Sequence, residues 1–401
     1  MTQRILIIGA GFAGMWSALS AARLLDQTRK DKAVEVALIA PQPVLHVRPR
    51  LYEVNPTAMQ APLTDVFGAA GVKYIQGSVQ HIHPEKHEVE ATAPDGRSFK
   101  ISYDRLVLAT GSQLFEPPVP GLKEYSFNVD QLANAGKLDA HLAALKDLPD
   151  TPARNTVVVA GGGFTGIETA TEMPARLRSI LGDNAGVKVI VVDRASAIGH
   201  ELGAGPRPLI MEAIEELGIV WKANTSVAGI DANGLTTSTG ERIETKTVIW
   251  TAGVRASALT AQINAERDPF GRLHVDSELR VKGVPTIFAT GDVAYAATDD
   301  AGNHALMSCQ HAISLGRSAG HNVAADLIGH PARAYSQPKY VTCLDLGAWG
   351  AVFTEGWQRE VKLRGAEAKA LKHQINSEWI YPPRANRAEI FAAADPANLV
   401  A

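Results

Sequence analysis

RILIIGAGFAG (Arg4–Gly14) joins a short apolar run to a Gly-x-Gly-x-x-Gly loop, and an Ala-rich helical stretch follows to about Thr28. Such a run suits a strand buried on both faces of a parallel sheet. Each glycine answers a separate need. Gly9 permits the tight turn, Gly11 lets the backbone approach a pyrophosphate, and Gly14 allows the helix to pack closely on the strand. The helix start then offers unpaired N–H groups and a partial positive charge to phosphate. One such loop is weak evidence, since glycine turns also close ordinary strands. The chain carries a second. TVVVAGGGFTG (Thr156–Gly166) repeats the pattern with Gly161, Gly163 and Gly166, and each copy continues to another apolar strand, VEVALIA (Val34–Ala40) or VKVIVVD (Val187–Asp193). Two copies in strand–loop–helix–strand context predict an α/β protein with two Rossmann-like dinucleotide-binding domains.

The copies differ where the second strand ends, the place that usually presents an acid to a ribose. The second copy has Asp193, 27 residues after Gly166; the first has Ala40, 26 residues after Gly14, followed by Pro41. The near-equal spacing aligns Ala40 with Asp193. Asp193 suits the paired ribose hydroxyls of NADH and repels a 2′-phosphate, while the adjacent Arg194 leaves room for NADPH. A nucleotide on the first copy is expected to be held without that carboxylate, and more weakly.

Composition narrows the function class. The net charge is -3 with no long single-sign run, which gives nucleic acid nothing to grip. No apolar run reaches the roughly 18 residues of a membrane span, and MTQRILIIGAG runs straight into a strand, so a cytoplasmic protein is expected. Cys309 and Cys343 are the only cysteines and form no C-x-x-C pair, which argues against redox-disulfide and zinc chemistry. His81, His83 and His87 lie at strand spacing beside a PDG turn (Pro94–Gly96) and read as a solvated hairpin; no metal site is expected.

With these residues in view, the chain resembles the two-dinucleotide-binding-domain flavoproteins (glutathione reductase-like), and within them the type II NADH dehydrogenases, which are NADH:quinone oxidoreductases. The resemblance rests on GAGFAG, on LHVRPRLYEV (Leu45–Val54), and on two strand–turn units, YDRLVLATGS (Tyr103–Ser112) and ETKTVIWTAGVRAS (Glu244–Ser257). GRLHVDSELRVKGVPTIFATGDVA (Gly271–Ala294) is the most specific stretch. It implies that Asp292 contacts the ribityl–phosphate region of a flavin, with Thr110 and Gly111 in the same site and Gly253 at the matching turn of the second copy. FAD would occupy the first copy and NADH, or NADPH, the second. The FAD-binding domain would be discontinuous, over 1–112 and 282–330. The NAD(P)H-binding domain, over 113–281, would be inserted in it, and a C-terminal α+β segment would cover 331–401.

The resemblance also implies the chemistry. NADH gives hydride to the flavin, which passes electrons to a quinone, so the protein need only stack, orient and tune the cofactor. Glu168 and Glu172 lie four apart on one helical face; Glu172 matches the family's acid near the meeting of nicotinamide and flavin. Gln310, with Ala312, fits the helix that borders the quinone, although Ser314 and Leu315 stand where a second glutamine is usual. In GAEAKALKHQINSEWIYPP (Gly365–Pro383), Leu371, Ile375 and Trp379 form an i, i+4, i+8 stripe, with Lys369, Lys372 and Arg364 adding positive charge. This stripe is expected to dock on the protein itself or at a homodimer interface, with a membrane surface as the alternative. Two competing readings keep the cofactors: a reductase of ferredoxin- or rubredoxin-type proteins, and a slow redox-sensing flavoprotein.

Overall fold

The computed structural model describes residues 2–398; Met1 and residues 399–401, at the ends of the first and last expected domains, lie outside the described residues. The first repeat is β1 (Gln3–Ile8), α1 (Phe12–Gln27) and β2 (Val34–Ala40), continued by β3 (Lys73–Gln76). An antiparallel flap follows, β4 (Ser78–His83), β5 (Glu88–Thr92) and β6 (Ser98–Ser102), and then β7 (Arg105–Leu108) returns to the sheet. The second repeat is β8 (Thr156–Ala160), α2 (Phe164–Leu181) and β9 (Lys188–Val192), with β10 (Ile219–Lys222) and β11 (Thr247–Trp250) completing its four-stranded sheet in the order β10-β9-β8-β11. A late strand, β12 (Ile287–Ala289), pairs in parallel with β7 and so enters the first sheet, whose order is β12-β7-β1-β2-β3. Strands buried on both faces explain the unbroken apolar runs: Ile5 to Ile7 and Val157 to Val159 are fully buried.

The two repeats superpose in register. Ile8 pairs with Ile39 and Ala160 pairs with Val192, so Ala40 and Asp193 occupy the same position one residue on. The Gly9 N–H donates to the Ile39 carbonyl at 2.9 Å, and the Gly161 N–H to the Val192 carbonyl, also at 2.9 Å.

Helix α3 (Cys309–Ile328) packs against α1 with its backbone nearly touching. A Cβ on Gly316 would meet the Ala13 carbonyl oxygen at 2.6 Å, and one on Gly320 the Ser17 oxygen at 2.1 Å. This close approach brings the start of α3 to the first glycine loop. The C-terminal segment adds β13 (Val341–Asp345), β14 (Ala351–Glu355) and β15 (Glu360–Arg364), antiparallel to one another, and α4 (Gly365–Gln374), which runs on into a π turn over Ile375–Trp379.

α4 docks on the protein, with a different face inward from the one its apolar spacing suggests. Ala368, Lys372 and Asn376 are buried at i, i+4, i+8, whereas Leu371 and Ile375 are half-buried and Trp379 is 51% exposed. The two stripes are offset by one residue. The polar one wins because a buried carboxylate, Glu168, lies beneath it and needs a cation.

Candidate functional site

Both glycine loops are built alike. Gly9 and Gly161 sit at φ 111° and 119°, conformations that side-chain residues rarely adopt. A Cβ on Gly14 would lie 1.9 Å from the Gly9 oxygen, and one on Gly166 also 1.9 Å from the Gly161 oxygen. The N-caps, Gly11 and Gly163, provide no side-chain capping bond, so the first amides of α1 and α2 stay available. A Cβ on Gly11 would meet nothing within 4 Å, so the loop is open on the side where a phosphate approaches.

Ala40 and Asp193 make the copies unequal. Asp193 accepts from the Gly162 N–H and the Ala195 N–H, each at 3.1 Å, and bridges the glycine loop to its own strand end. Ala40 is buried and has no counterpart to this bridge; its carbonyl accepts from the Tyr74 hydroxyl at 2.8 Å and the Gly77 N–H at 3.0 Å. Arg194 is exposed on the rim.

The residues around the first loop suit a flavin nucleotide. Thr110 and Thr290 hold buried hydroxyls without partners among the described residues. Gly111 turns the chain at φ 65° beside them, and Gly253 repeats that turn at φ 78° in the second copy. Asp292, expected from ATGD, accepts from the Ser112 hydroxyl at 2.6 Å and lies 3.7 Å from Arg48. Arg48 also pairs with Asp130 and reaches the Ser112 carbonyl at 3.3 Å. Arg48 was not singled out by its spacing; its only signal was its place in LHVRPRLYEV.

The start of α2 lies under the C-terminal segment, against β13 and α4. Glu168, 4% exposed, accepts from Lys372 Nζ at 2.7 Å and from the Asp345 N–H at 3.1 Å. Lys372, 6% exposed, also donates to the Cys343 carbonyl at 3.0 Å and lies 5.6 Å from the Phe164 ring. Asp345 in turn accepts from the Tyr52 hydroxyl at 2.8 Å and pairs with Lys369. Burial pushes the Glu168 carboxyl up to about 7 against the opposing pull of the Lys372 charge. The Lys372 ammonium is raised too, because the attraction of Glu168 outweighs burial. The pair therefore holds an exchangeable proton near neutrality. Between pH 4.5 and about 7 the folded chain keeps a proton on Glu168 that the unfolded chain releases, so this group makes stability fall as pH rises through that window.

Glu172, the acid favoured by sequence, lies one turn further along α2. Burial and then Asp345 raise its carboxyl, with Lys369 and Arg176 opposing. The charges of Lys372, Asp292 and Glu168 act on the Cys309 thiol at the start of α3. Burial raises that thiol to about 11. Gln310 follows Cys309 with its buried Oε1 unpartnered among the described residues, and Ala312 is buried behind it. Lys372 could not be found from its sequence context, where it reads as surface charge on an amphipathic helix.

Comparisons with known proteins agree with the fold. The chain is 46% identical over 397 residues to an NADH dehydrogenase-like protein of Mycobacterium tuberculosis, covering 98% of each. It is 28% identical to the demethylphylloquinone reductase of Synechocystis, covering 88% of this chain and 86% of that one. Its fold matches NDH2 of Plasmodium falciparum, solved in complex with NADH, with a TM-score of 0.78 at 15% identity over 98% of each chain. The sequence profile of the pyridine nucleotide-disulphide oxidoreductases matches residues 3–316, and the chain belongs to that family.

Proposed function

We propose that the chain is an FAD-dependent NADH dehydrogenase that passes electrons to a quinone. The observation that carries this reading is the buried Glu168–Lys372 pair, which ties the second glycine-loop helix to the C-terminal segment. The names of its relatives, an NADH dehydrogenase-like protein and a demethylphylloquinone reductase, point the same way. We assign the FAD domain to 1–112 with 282–330, the NAD domain to 113–281 and the acceptor side to 331–401; the pairing of β12 with β7 supports the split. Thr110, Gly111, Asp292 and the Gly9–Gly14 loop would hold FAD. The Gly161–Gly166 loop, Gly253 and Asp193 would hold NADH in preference to NADPH. Once bound, the flavin supplies hydride acceptance and electron release. Glu168 supplies a proton to the acceptor, Lys372 keeps that carboxyl oriented, Gln310 faces the acceptor, and Glu172 acts through Asp345 as a positioning residue.

No helix among the described residues is long and apolar enough to cross a membrane. A lipid-soluble acceptor would bring the chain to the inner face of the cell membrane. There, exposed Trp379 and Val54, flanking the Asn376–Glu53 hydrogen bond, are the proposed points of contact.

The test is anaerobic reduction of the yellow protein by NADH, followed by mixing with short-chain quinones or a small iron–sulfur protein. Rapid bleaching by NADH and rapid reoxidation by quinone are expected. A spectrum that NADH leaves unchanged overturns the reading, and reoxidation by the iron–sulfur protein alone overturns the acceptor.

Two further results are expected. Quinone turnover should fall as pH rises above about 7, where Glu168 gives up its proton, while the NADH half-reaction stays level. Glu168→Gln should abolish that limb; its survival in the variant would remove Glu168 from the proton step. Ala40→Glu should restore a carboxylate to the FAD ribose and tighten FAD by about 1–3 kcal/mol. Equilibrium dialysis showing unchanged or weaker FAD retention would mean that Pro41 and its neighbours hold the ribose in another way.

A further inference from the structure

Arg359 lies in the β14–β15 turn at φ 56° and is 8% exposed. Its guanidinium stacks 4.8 Å from the Tyr340 ring, and Nη2 is 3.5 Å from the Glu201 main-chain oxygen. Nη1 is buried without a hydrogen-bond partner, and the side chain forms no ion pair among the described residues. A guanidinium taken out of water with no counter-charge is strongly unfavourable, and a fold that keeps one has a place for an anion.

Its surroundings identify the anion. The β14–β15 turn presses on the loop that follows β9: a Cβ on Gly205 would meet the Arg359 carbonyl oxygen at 2.4 Å, and one on Gly203 would meet Arg359 Cγ at 3.7 Å. The same loop carries Glu201, whose Oε2 would lie 3.6 Å from a Cβ placed on Gly163, the N-cap of α2. Glu201 thus marks the approach to the second glycine loop from the Arg359 side. On its other side, Arg359 touches Tyr340, which stacks on Trp357 at 4.6 Å and tilts against His311 in the first turn of α3 at 5.2 Å. Trp357 Nε1 and His311 Nε2 are also buried without partners among the described residues. Arg359 therefore bridges the loop that carries Glu201, beside the second glycine loop, and the Tyr340 ring, which touches His311 at the start of α3.

We propose that Arg359 binds the nicotinamide-side phosphate of NADH, opposite the N-terminus of α2. This rests on the reading of the second glycine loop as the NADH seat. The helix start offers neutral N–H groups and a fractional charge, whereas the diphosphate carries two full negative charges. A guanidinium fork adds the full positive charge and the bidentate geometry that the helix lacks. The Glu201 side chain is 69% exposed, so its carboxylate stays solvated beside the entering nucleotide.

The test is calorimetric titration of the flavin-loaded protein with ADP-ribose, which carries that phosphate, and with AMP, which lacks it. In Arg359→Gln the ADP-ribose dissociation constant should rise about ten- to hundredfold and the AMP constant less than about twofold. Arg359→Lys should recover part of the loss. Without nucleotide, the thermal midpoint of Arg359→Gln should match or exceed that of the unchanged protein, because an unpaired buried charge has gone. Equal ADP-ribose affinity in the unchanged protein and Arg359→Gln overturns the role of Arg359. So does a midpoint that collapses in Arg359→Gln while Arg359→Lys stays folded with full ADP-ribose affinity, because the side chain is then a structural strut. An unchanged protein that binds neither ADP-ribose nor NADH overturns the NADH seat itself.

Discussion

Replacing Lys372 by methionine is expected to cost the folded protein about 3–5 kcal/mol at pH 8, the range for breaking a buried ion pair from one side. The reason is local. Glu168 keeps one other donor, the Asp345 N–H, and is buried away from bulk solvent, while the Cys343 carbonyl loses its Lys372 hydrogen bond as well. With the ammonium gone, burial and the Asp345 charge drive the Glu168 carboxyl further up against the single Asp345 N–H bond, so the variant should regain stability as pH falls and the acid becomes neutral. The double variant Glu168→Gln/Lys372→Met should recover most of the loss, since two uncharged groups replace a stranded charge. Its quinone turnover should nevertheless stay low, because neither residue can then hold the proton. Urea unfolding of the flavin-loaded proteins at pH 6 and pH 8 reads the stability part, and stopped-flow reoxidation reads the other. A single variant within about 1 kcal/mol of the unchanged protein at pH 8 would show that the pair is solvated in solution.

Gly14→Ala and Gly166→Ala should have opposite signatures although their geometry is the same. Each added methyl would lie 1.9 Å from a main-chain oxygen, Gly9 in one copy and Gly161 in the other. Neither oxygen belongs to a flexible side chain, so the helix must shift off its strand at a cost of about 1–3 kcal/mol or more. In the first copy, α1 is also clamped by α3 through Gly316 and Gly320, which leaves it little room to move. Gly14→Ala is therefore expected to give colourless or poorly folded protein. Gly166→Ala should purify yellow but show at least about a hundredfold slower bleaching by NADH, since a misplaced seat loses the orientation that the transfer requires. Visible spectra and anaerobic stopped-flow traces decide it. A yellow, normally reduced Gly166→Ala protein would contradict the assignment of NADH to the second loop, and loss of flavin from both variants would mean that the two seats are coupled.

Much of this was legible in the chain because the signals are local. A buried parallel strand, a glycine turn and a helix start are neighbours in sequence, so RILIIGAGFAG and TVVVAGGGFTG carry their own folding instructions, and the β-pairing bears out the alignment of Ala40 with Asp193. The ATGD turn brought Asp292 into view for the same reason. The C-terminal helix was harder. Its apolar spacing picked out Leu371, Ile375 and Trp379, yet the fold turned Lys372 inward, because helical periodicity tells which residues share a face and not what waits beneath it.

The sequence by itself determined the two nucleotide-binding units, their order and the unequal acids at their strand ends, all set by contacts within a few turns of chain. Only the tertiary structure decided that Glu168 meets Lys372 across 204 residues, that Arg48 stands beside Asp292, and that the Arg359 guanidinium is buried with Nη1 unpaired among the described residues. Those pairings depend on how separate elements pack, and the free energy of a buried charge is set by what surrounds it in space, which residue spacing does not record.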